Sequence, residues 1–323
     1  MLGALLSLAS AAFFGLNNAA IRRGVITGSV LQAMAITVPV GVPLFIGFAA
    51  AMGGFRAMSD WGVAPWIWMT LAGVIHFVVG RYGNYKATQL LGSTLSTPIQ
   101  QLSILVALVL AFIFLGESVN AVNVLGILLV VVGPMIVVQR RRAGQKAGQG
   151  KGFDPAYGPG LFWGAVCAVG YGTSPLFVAL GIGEGGGIAD SVGGLLVSYV
   201  AATAVVLAWV ALEGRQTVMG GLEPGARRWF LLSALFVALS QLFRYVALAV
   251  APIAVVVPIQ RLSVVFRLIF NALINREHEV FDRWVVGSIL LSVVGAAALA
   301  GDTEVLLGWL GLQGEGWLAR PLF

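Results

Sequence analysis

Ten stretches of this sequence are apolar over about 20 residues, the length that a helix needs to cross a lipid bilayer. In chain order, these predicted spans 1 to 10 are Leu2–Ile21, Ser29–Met52, Trp66–Leu91, Ser93–Leu115, Val122–Val138, Gly160–Leu180, Ser191–Leu212, Trp229–Val250, Pro252–Asn275 and Trp284–Ala300. The chain is 59% hydrophobic and only 10% charged, whereas a soluble domain has about 25% charged residues. The sequence therefore predicts an all-α integral membrane protein.

The distribution of basic residues predicts how the spans are oriented. Of the 19 Lys and Arg residues, twelve lie in the connections of one face, two on the opposite face and five within spans. Basic connections stay on the cytoplasmic side, so we expect the richer face to be cytoplasmic and both termini to lie outside. The positive charge follows the topology, so we expect a multi-pass protein of the cytoplasmic (inner) membrane that contacts lipid and binds no nucleic acid.

Several classes of site find no support in the sequence. Cys167 is the single cysteine, which excludes an internal disulfide and a cysteine-based metal site. Neither His76 nor His278 has metal-ligand spacing with another candidate, and we interpret His76 as a packed or cavity histidine. No carboxylate pair lies within the spans, and no phosphate-binding glycine loop precedes a helix. We therefore expect no enzyme, no metal, no cofactor and no ATPase domain.

The two halves of the sequence resemble each other. The motif PIQQLS at Pro98–Ser103 returns as PIQRLS at Pro258–Ser263, and Glu117 and Glu277 are separated by the same number of residues as the two motifs. Each half contributes five spans, an odd number, so the second half must enter the membrane from the opposite side. The sequence therefore predicts ten transmembrane helices as two inverted five-helix repeats, a transporter design that places a substrate site near the midplane.

The predicted organisation has four parts. They are a first repeat at 1–138, a basic and glycine-rich cytoplasmic linker at 139–158, a second repeat at 159–301 and an interfacial C-terminal tail at 302–323. The apolar run of the tail, Val305–Leu312, is too short to cross a bilayer.

The two halves also share a pattern around their last spans. Each has an apolar run followed by a "GE"-like dipeptide, Gly116-Glu117 or Arg276-Glu277, and then a glycine-containing span. This pattern resembles the EamA-type branch of the drug/metabolite transporter superfamily over nearly all of residues 2–300, although Arg276 stands where that family usually has glycine. The resemblance implies a ten-helix carrier whose cavity is lined by spans 1, 3, 4, 6, 8 and 9. It also implies cytoplasmic termini, the opposite of what the charge distribution predicts.

Five basic side chains lie within apolar spans, while the acidic residues are confined to connections and span ends. They are Arg81, Lys86, Arg244, Arg261 and Arg267. A charge in the hydrocarbon region is costly and is normally buried, paired and functional. We expect the four arginines to attract a negative group of a substrate, and Lys86 to reach the membrane interface with its flexible stem.

Span 9 has a continuous polar face. Gln260, Ser263, Arg267 and Asn271 follow at steps of three or four residues and therefore stack on one side of a helix, with Arg261 at its edge. Lipid cannot satisfy these groups, so the face must contact protein or a wet cavity. Because the first repeat has no matching arginines, span 9 is the first place to look for the negative group of the substrate.

Span 4 repeats this face in neutral form, and Gln100 is its best cavity candidate. The alternative is that these polar groups only join helices to one another. Pro98 and Pro258 occupy matched positions in spans 4 and 9. A proline frees a carbonyl one turn back and kinks a helix, so we expect a hinge at each.

Spans 3 and 8 supply a second symmetric pair. Arg81 shares a helix face with Tyr85, and Arg244 clusters with Gln241. We expect the two arginines to sit on opposite sides of the midplane and to attract substrate alternately. The alternative is that each bonds helix carbonyls, at a helix C-terminus or beside a proline.

Spans 1 and 6 add the last candidates by symmetry. Asn17 in span 1 lies opposite Ser174 in span 6, beside a third expected hinge at Pro175. Either residue could equally be structural.

These observations favour a secondary, ATP-independent carrier that moves a small anionic or zwitterionic organic metabolite by alternating access. One alternative is a flippase-like carrier of an amphipathic anion such as a lipid phosphate, and another is a non-transporting scaffold or receptor on the same fold. We expect a monomer or a homodimer.

Overall fold

The structure is a computed structural model that describes residues 2–115, 120–146, 154–183, 186–250, 259–260, 262–281, 283–300 and 308 of the chain. Its regular elements are helices, and these ranges contain no β-strand. In chain order they are α1 Leu2–Gly24, α2 Val30–Thr37, α3 Gly41–Ala51, α4 Gly54–Ser59, α5 Val63–Gly73, a π-helix Val74–Gly80, α6 Arg81–Leu91, α7 Ser93–Gln101, α8 Ser103–Leu115, α9 Ala121–Lys146, α10 Tyr157–Ile182, α11 Ile188–Glu213, α12 Arg215–Met219, α13 Pro224–Val250, α14 Ser263–Ile274, a 3₁₀ turn Arg276–His278, and α15 Arg283–Ala300.

Within the described residues, six helical segments are long and apolar enough to cross a membrane. They are Leu2–Gly24, Val30–Ala51, Val63–Leu91, Tyr157–Ile182, Ile188–Glu213 and Pro224–Arg244. Two shorter apolar helices, Ser263–Ile274 and Arg283–Gly295, add to them. The expected all-helical, multi-pass membrane protein is therefore confirmed.

Two of the predicted parts meet the limits of the described residues. Helix α9 continues to Lys146, so the predicted linker at 139–158 begins inside a helix. The predicted tail at 302–323 lies outside the described residues except for Gly308.

The surface and the interior have the polarity that a bilayer requires. Large apolar side chains point outward, with Leu212 88% exposed and Leu273 76% exposed. Asparagine, glutamine and serine side chains are instead buried between helices, among them Asn84 and Gln101. Lipid offers no hydrogen bonds, so polar groups of a membrane protein turn toward other helices or a cavity.

Four of the predicted spans are interrupted within the described residues, including span 9, where Leu262 forms a turn just before α14. Span 2 breaks at 38–40, around Pro39, which lacks the backbone N–H that a continuing helix needs. Span 3 contains the π-helix between α5 and α6, and span 4 breaks at Leu102 between α7 and α8. At that break the Leu102 N–H donates to the Ile99 carbonyl at 3.1 Å, a tight three-residue turn.

Helices α1 and α13 run antiparallel and define the two ends of the bundle. The Ser240 hydroxyl donates to the Ser10 carbonyl at 2.9 Å, and the Ser233 hydroxyl donates to the Asn17 side chain at 2.7 Å. Arg244 therefore lies beyond Ser240, toward the start of α1, while Arg22 lies at the opposite end of α1. We call these the Arg244 end and the Arg22 end.

Helices α1 and α14 approach closely at Gly15. A Cβ atom at this position would lie 2.7 Å from the Phe266 Cβ atom and 2.8 Å from the Arg267 backbone nitrogen. Only a glycine lets the two backbones meet at this distance, so Gly15 places α14 and Arg267 against α1.

Replacing Gly15 with alanine is expected to destabilise the protein by about 1–3 kcal/mol, the usual cost of overpacking a tight contact. The measurement is the thermal unfolding midpoint in detergent. Gly47→Ala is the matched control, because a Cβ at Gly47 meets nothing within 4 Å. Equal midpoints for the two variants would contradict the close approach.

Candidate functional site

A cavity of about 420 Å³ lies between helices from both halves of the chain. Its volume is within the range of small-molecule sites. The lining residues are Ser10, Ala11, Phe14, Asn18, His76, Asn84, Thr97, Gln100, Gln101, Ser103, Ile104, Ala107, Tyr171, Ser240, Gln241, Arg244, Gln260, Ser263, Val264 and Arg267. They come from predicted spans 1, 3, 4, 6, 8 and 9, the six spans that the family resemblance implied.

The structure brings five of the predicted site residues to this cavity: Gln100, Gln241, Arg244, Gln260 and Arg267. Four others, Arg81, Tyr85, Asn17 and Ser174, are buried but are not among the lining residues. Arg261 and Pro258 lie outside the described residues, and Pro175 lies within α10.

Arg244 is the free cation of the described lining. Its side chain is exposed, and no hydrogen bond or ion pair joins it to another residue in the part of the chain that the structure describes. Reciprocal bonds between Ser10 and Ser240, at 2.8 and 2.9 Å, fix α13 against α1 one turn before Arg244. The guanidinium is thus presented from a firmly held helix without being neutralised.

Arg267 is buried, and its guanidinium donates hydrogen bonds to uncharged oxygen atoms. Its Nε donates to the Ser93 hydroxyl at 2.6 Å, its Nη1 to the Gln100 Oε1 at 2.7 Å and its Nη2 to the Ser96 hydroxyl at 2.9 Å. A longer contact of 3.4 Å joins Nη2 to the Thr88 hydroxyl. Arg267 therefore holds α7 against α14. No described carboxylate forms an ion pair with Arg267, so its positive charge is not compensated in this way.

Three glutamine amides bring unused hydrogen-bond donors to the cavity wall. The Nε2 atoms of Gln100, Gln101 and Gln260 are buried and have no partner among the described residues. Because an arginine can only donate, the bond from Arg267 fixes the Gln100 oxygen and leaves its NH₂ group free. A wall of unpaired N–H donors favours a ligand that accepts hydrogen bonds.

Arg81 belongs to an aromatic core beside the cavity. Its Nη2 donates to the Tyr199 hydroxyl at 3.0 Å, and its Cζ lies 4.8 Å from the centre of the Phe77 ring and 5.5 Å from that of Tyr199. Neighbouring Tyr85 donates to Thr37 at 3.2 Å. Stacking on aromatic faces stabilises a buried guanidinium, while the buried Nη1 of Arg81 has no hydrogen-bond partner among the described residues. Contact of Arg81 with substrate stays a prediction.

Two further residues of the cavity are not among the predicted substrate contacts. Asn84 lies on the cavity and donates to the Tyr171 hydroxyl at 3.3 Å. His76, which we expected to be packed or on a cavity, lines it and stacks on Tyr171 with ring centres 4.4 Å apart. His76 lies in the π-helix, a kind of distortion that is frequent at functional sites. The π-helix is visible in the backbone structure and has no signal in the sequence.

The first part of the chain matches a known protein family. Residues 1–139 match the EamA-like transporter family. The predicted resemblance is thus confirmed over residues 1–139, and this region includes the cavity residues of spans 1, 3 and 4.

Curated relatives match a shorter stretch. The chain is 35% identical over 92 residues to "Probable magnesium transporter NIPA1" of Arabidopsis thaliana and 32% identical over 93 residues to "Probable magnesium transporter NIPA6" of the same plant. These matches cover 28% and 29% of this chain and only 25% and 26% of the relatives. The chain therefore spans about a quarter of the length of the curated relatives that it matches. The matched family and these relatives are named as transporters.

A solved structure resembles the whole bundle. A crystal structure of another protein has a TM-score of 0.52 with this chain at 17% sequence identity, over 95% of this chain and 98% of the other. At this identity the likeness concerns the fold alone.

Proposed function

We propose that this protein is a membrane transporter that moves a small organic anion, or a zwitterion held by its carboxylate, through the described cavity without hydrolysing a nucleotide. The observation that supports the proposal most directly is Arg244, an exposed guanidinium on the cavity with no hydrogen bond or ion pair to a described residue. A cation within a bilayer-spanning helix needs a counter-charge. Carboxylates and phosphates bind the planar guanidinium with two parallel hydrogen bonds.

The rest of the lining supports the same chemistry. Two arginines line the cavity, and none of the lining residues that the structure describes is acidic. The free amide groups of Gln100, Gln101 and Gln260 would donate to further oxygens of the ligand. Phe14, Ile104 and Val264 provide apolar surface for its carbon skeleton.

Magnesium, the cargo in the names of the relatives, fits this cavity poorly. Mg²⁺ is bound through oxygen ligands, among which carboxylates provide the compensating charge. The described residues contain no group of three or more His, Cys, Asp or Glu side chains that could hold a metal. The positive potential of Arg244 and Arg267 also opposes a divalent cation, so we favour an anion.

The proposed carrier has ten transmembrane helices in two inverted repeats and works by alternating access in the cytoplasmic membrane. Every predicted span contains at least one described helix, and the solved structure of similar fold extends over 95% of the chain. Inverted repeats provide two related arrangements around one central site.

The test is ligand-induced thermal stabilisation of the purified protein in detergent. The probes are acetate, succinate, citrate, glutamate, glycerol 3-phosphate, a short-chain phosphatidate and magnesium chloride. We expect at least one organic anion to raise the unfolding midpoint, and Arg244→Gln to weaken its apparent affinity on the order of 30-fold, about 2 kcal/mol. Arg228→Gln is the matched control, since Arg228 is an exposed arginine on the same helix, α13.

Each outcome decides between the candidates. Stabilisation by succinate, citrate or glutamate supports a metabolite carrier, and stabilisation by phosphatidate alone supports the carrier of a lipid phosphate. Stabilisation by Mg²⁺ alone, or an anion response that Arg244→Gln leaves unchanged, would overturn the proposal.

A further inference from the structure

A buried ion pair lies at the Arg22 end of the bundle. The Arg22 Nε lies 3.0 Å from the Glu279 Oε1, and the two side chains are only 2% and 0% exposed. These residues are separated by most of the chain, so the pair joins the two halves of the bundle. Arg22 is one of the twelve basic residues in the predicted cytoplasmic connections, and Glu279 lies in the predicted connection between spans 9 and 10.

Both partners also hold backbone groups of neighbouring segments. Arg22 donates to the carbonyls of Thr88 at 3.1 Å and Gln89 at 3.3 Å, near the end of α6, and to the carbonyl of His278. Glu279 accepts from the backbone N–H groups of Ser93 at 2.5 Å and Thr94 at 2.7 Å, at the start of α7. We call Arg22, Glu279 and these five backbone groups the Arg22 clamp.

The turn inside the clamp is fitted closely to Glu279. Gly92, between α6 and α7, has φ +83°, and a Cβ at this position would lie 2.9 Å from the Glu279 Oε2. A left-handed backbone favours glycine, and the missing side chain leaves room for the carboxylate. The clamp therefore depends on the ends of α1 and α6, the start of α7 and the turn after α14 all being in place.

A buried ion pair of this kind can be both tight and reversible. Removing two charges from water costs nearly as much as their attraction returns. If the segments separate and water enters, both ions recover their hydration, so the ion pair itself adds little to the free-energy difference between an open and a closed arrangement. Removing one partner behaves differently, because the other remains buried and unpaired.

Arg267 links the clamp to the cavity wall. Its Nε bonds the hydroxyl of Ser93, whose N–H is held by Glu279. Its Nη2 contacts the hydroxyl of Thr88, whose carbonyl is held by Arg22. On the cavity side, its Nη1 orients Gln100. A ligand that draws Gln100 or Arg267 toward itself would therefore compete for groups that keep the clamp closed.

We propose that the Arg22 clamp is the gate of the cavity at the Arg22 end, and that Arg267 is the positioning residue that couples this gate to the cavity. The proposal rests on the proposed transport function. It assigns different roles to the two cavity arginines, with Arg244 contacting the anion and Arg267 transmitting its presence to the clamp.

The gate can be tested without knowing the substrate. In a Cys167→Ala background, which removes the single, buried cysteine, a reporter cysteine replaces Thr97 on the cavity wall. Vesicles of both orientations are treated with a membrane-impermeant maleimide, and the labelling rate is measured from each side. We expect Glu279→Gln to raise the rate from the Arg22 end at least tenfold, while Glu279→Asp, which retains the charge, stays within about threefold of the parent.

Two controls keep the outcome interpretable. Glu223→Gln, an exposed acid that is predicted to lie on the same face, should leave the rate unchanged. If Glu279→Gln does not fold, the double variant Arg22→Gln/Glu279→Gln removes both charges and leaves no unpaired ion. A folded variant of either type whose labelling from the Arg22 end equals that of the parent would overturn the gate.

The coupling role of Arg267 is tested by a double-mutant cycle on the same labelling rate. Arg267→Lys keeps the charge but loses the planar fork that holds Ser93 and Gln100. We expect it to raise the rate several-fold in the parent and to add nothing when Glu279→Gln has already opened the gate. Independent, multiplying effects would reject the coupling. Because no ligand is used, this result is separate from a failure of the anion screen.

Discussion

Replacing Arg267 with methionine is expected to lower the unfolding midpoint on the order of 10 °C. The substitution leaves Ser93, Ser96 and Gln100 without the donor that each now receives. An unsatisfied buried polar group costs about 1–3 kcal/mol, so the combined loss should reach about 3–5 kcal/mol after partial relaxation. Arg267→Lys should fall between methionine and the parent, because a lysine retains the charge without the fork. The measurement is thermal unfolding of the detergent-solubilised protein.

The control for this prediction is Arg276→Met. Arg276 is exposed in the turn after α14, so its replacement should change the free energy of unfolding by no more than about 0.5 kcal/mol. If Arg267→Met were as stable as the parent, the hydrogen bonds to α7 would contribute nothing. In that case Arg267 would be held by solvent or by the substrate.

The sequence predicts the helical content well because long apolar runs have few alternatives in a membrane. It does not predict where helices break. Hydropathy is blind to the π-helix at Val74–Gly80 and to the break at Leu102, because both change backbone bonding without changing polarity. Pro98, expected to form a hinge, lies within α7, and the helix breaks four residues later. The hinge role of Pro98 remains a prediction.

The candidate site was predictable in part. Helical periodicity brought Gln260 and Arg267 to one face of span 9, and both line the cavity. It could not show that Arg267 would find its acceptors on α7, because those partners lie in the other half of the chain. The same holds for Arg81, whose Nη2 donates to Tyr199 of α11. Charge alone therefore indicated helices that line the cavity, but it did not distinguish a free guanidinium from one that is hydrogen-bonded.

The pairing of Arg22 with Glu279 shows a second limit of the sequence. The positive-inside rule uses Arg22 only as a topological marker, and an acidic residue in a connection is ordinarily solvated. The structure buries both. An arginine that the positive-inside rule places outside the membrane can therefore be buried in the protein and form part of the proposed gate of the cavity.

Reversing the charge of Arg244 is expected to have the largest effect on ligand binding. Two opposite charges about 4 Å apart attract by about 4 kcal/mol at an effective dielectric constant near 20. Because Arg244 is exposed, about half of this, roughly 2 kcal/mol, is a fair value for its removal. Arg244→Glu replaces the attraction with a repulsion of similar size, a change of about 4 kcal/mol, so affinity for the anion should fall on the order of a thousandfold.

The fold should survive this change, since no described residue forms a hydrogen bond or ion pair with Arg244. The unliganded unfolding midpoint of Arg244→Glu should therefore equal that of the parent. Stabilisation by organic anions should disappear, whereas choline, putrescine or magnesium chloride, inert toward the parent, should begin to stabilise the variant. Arg228→Glu on the same helix controls for net charge and should bind anions as the parent does. If Arg244→Glu retained its anion response, the cavity would bind the anion through other groups, and the central role of Arg244 would be wrong.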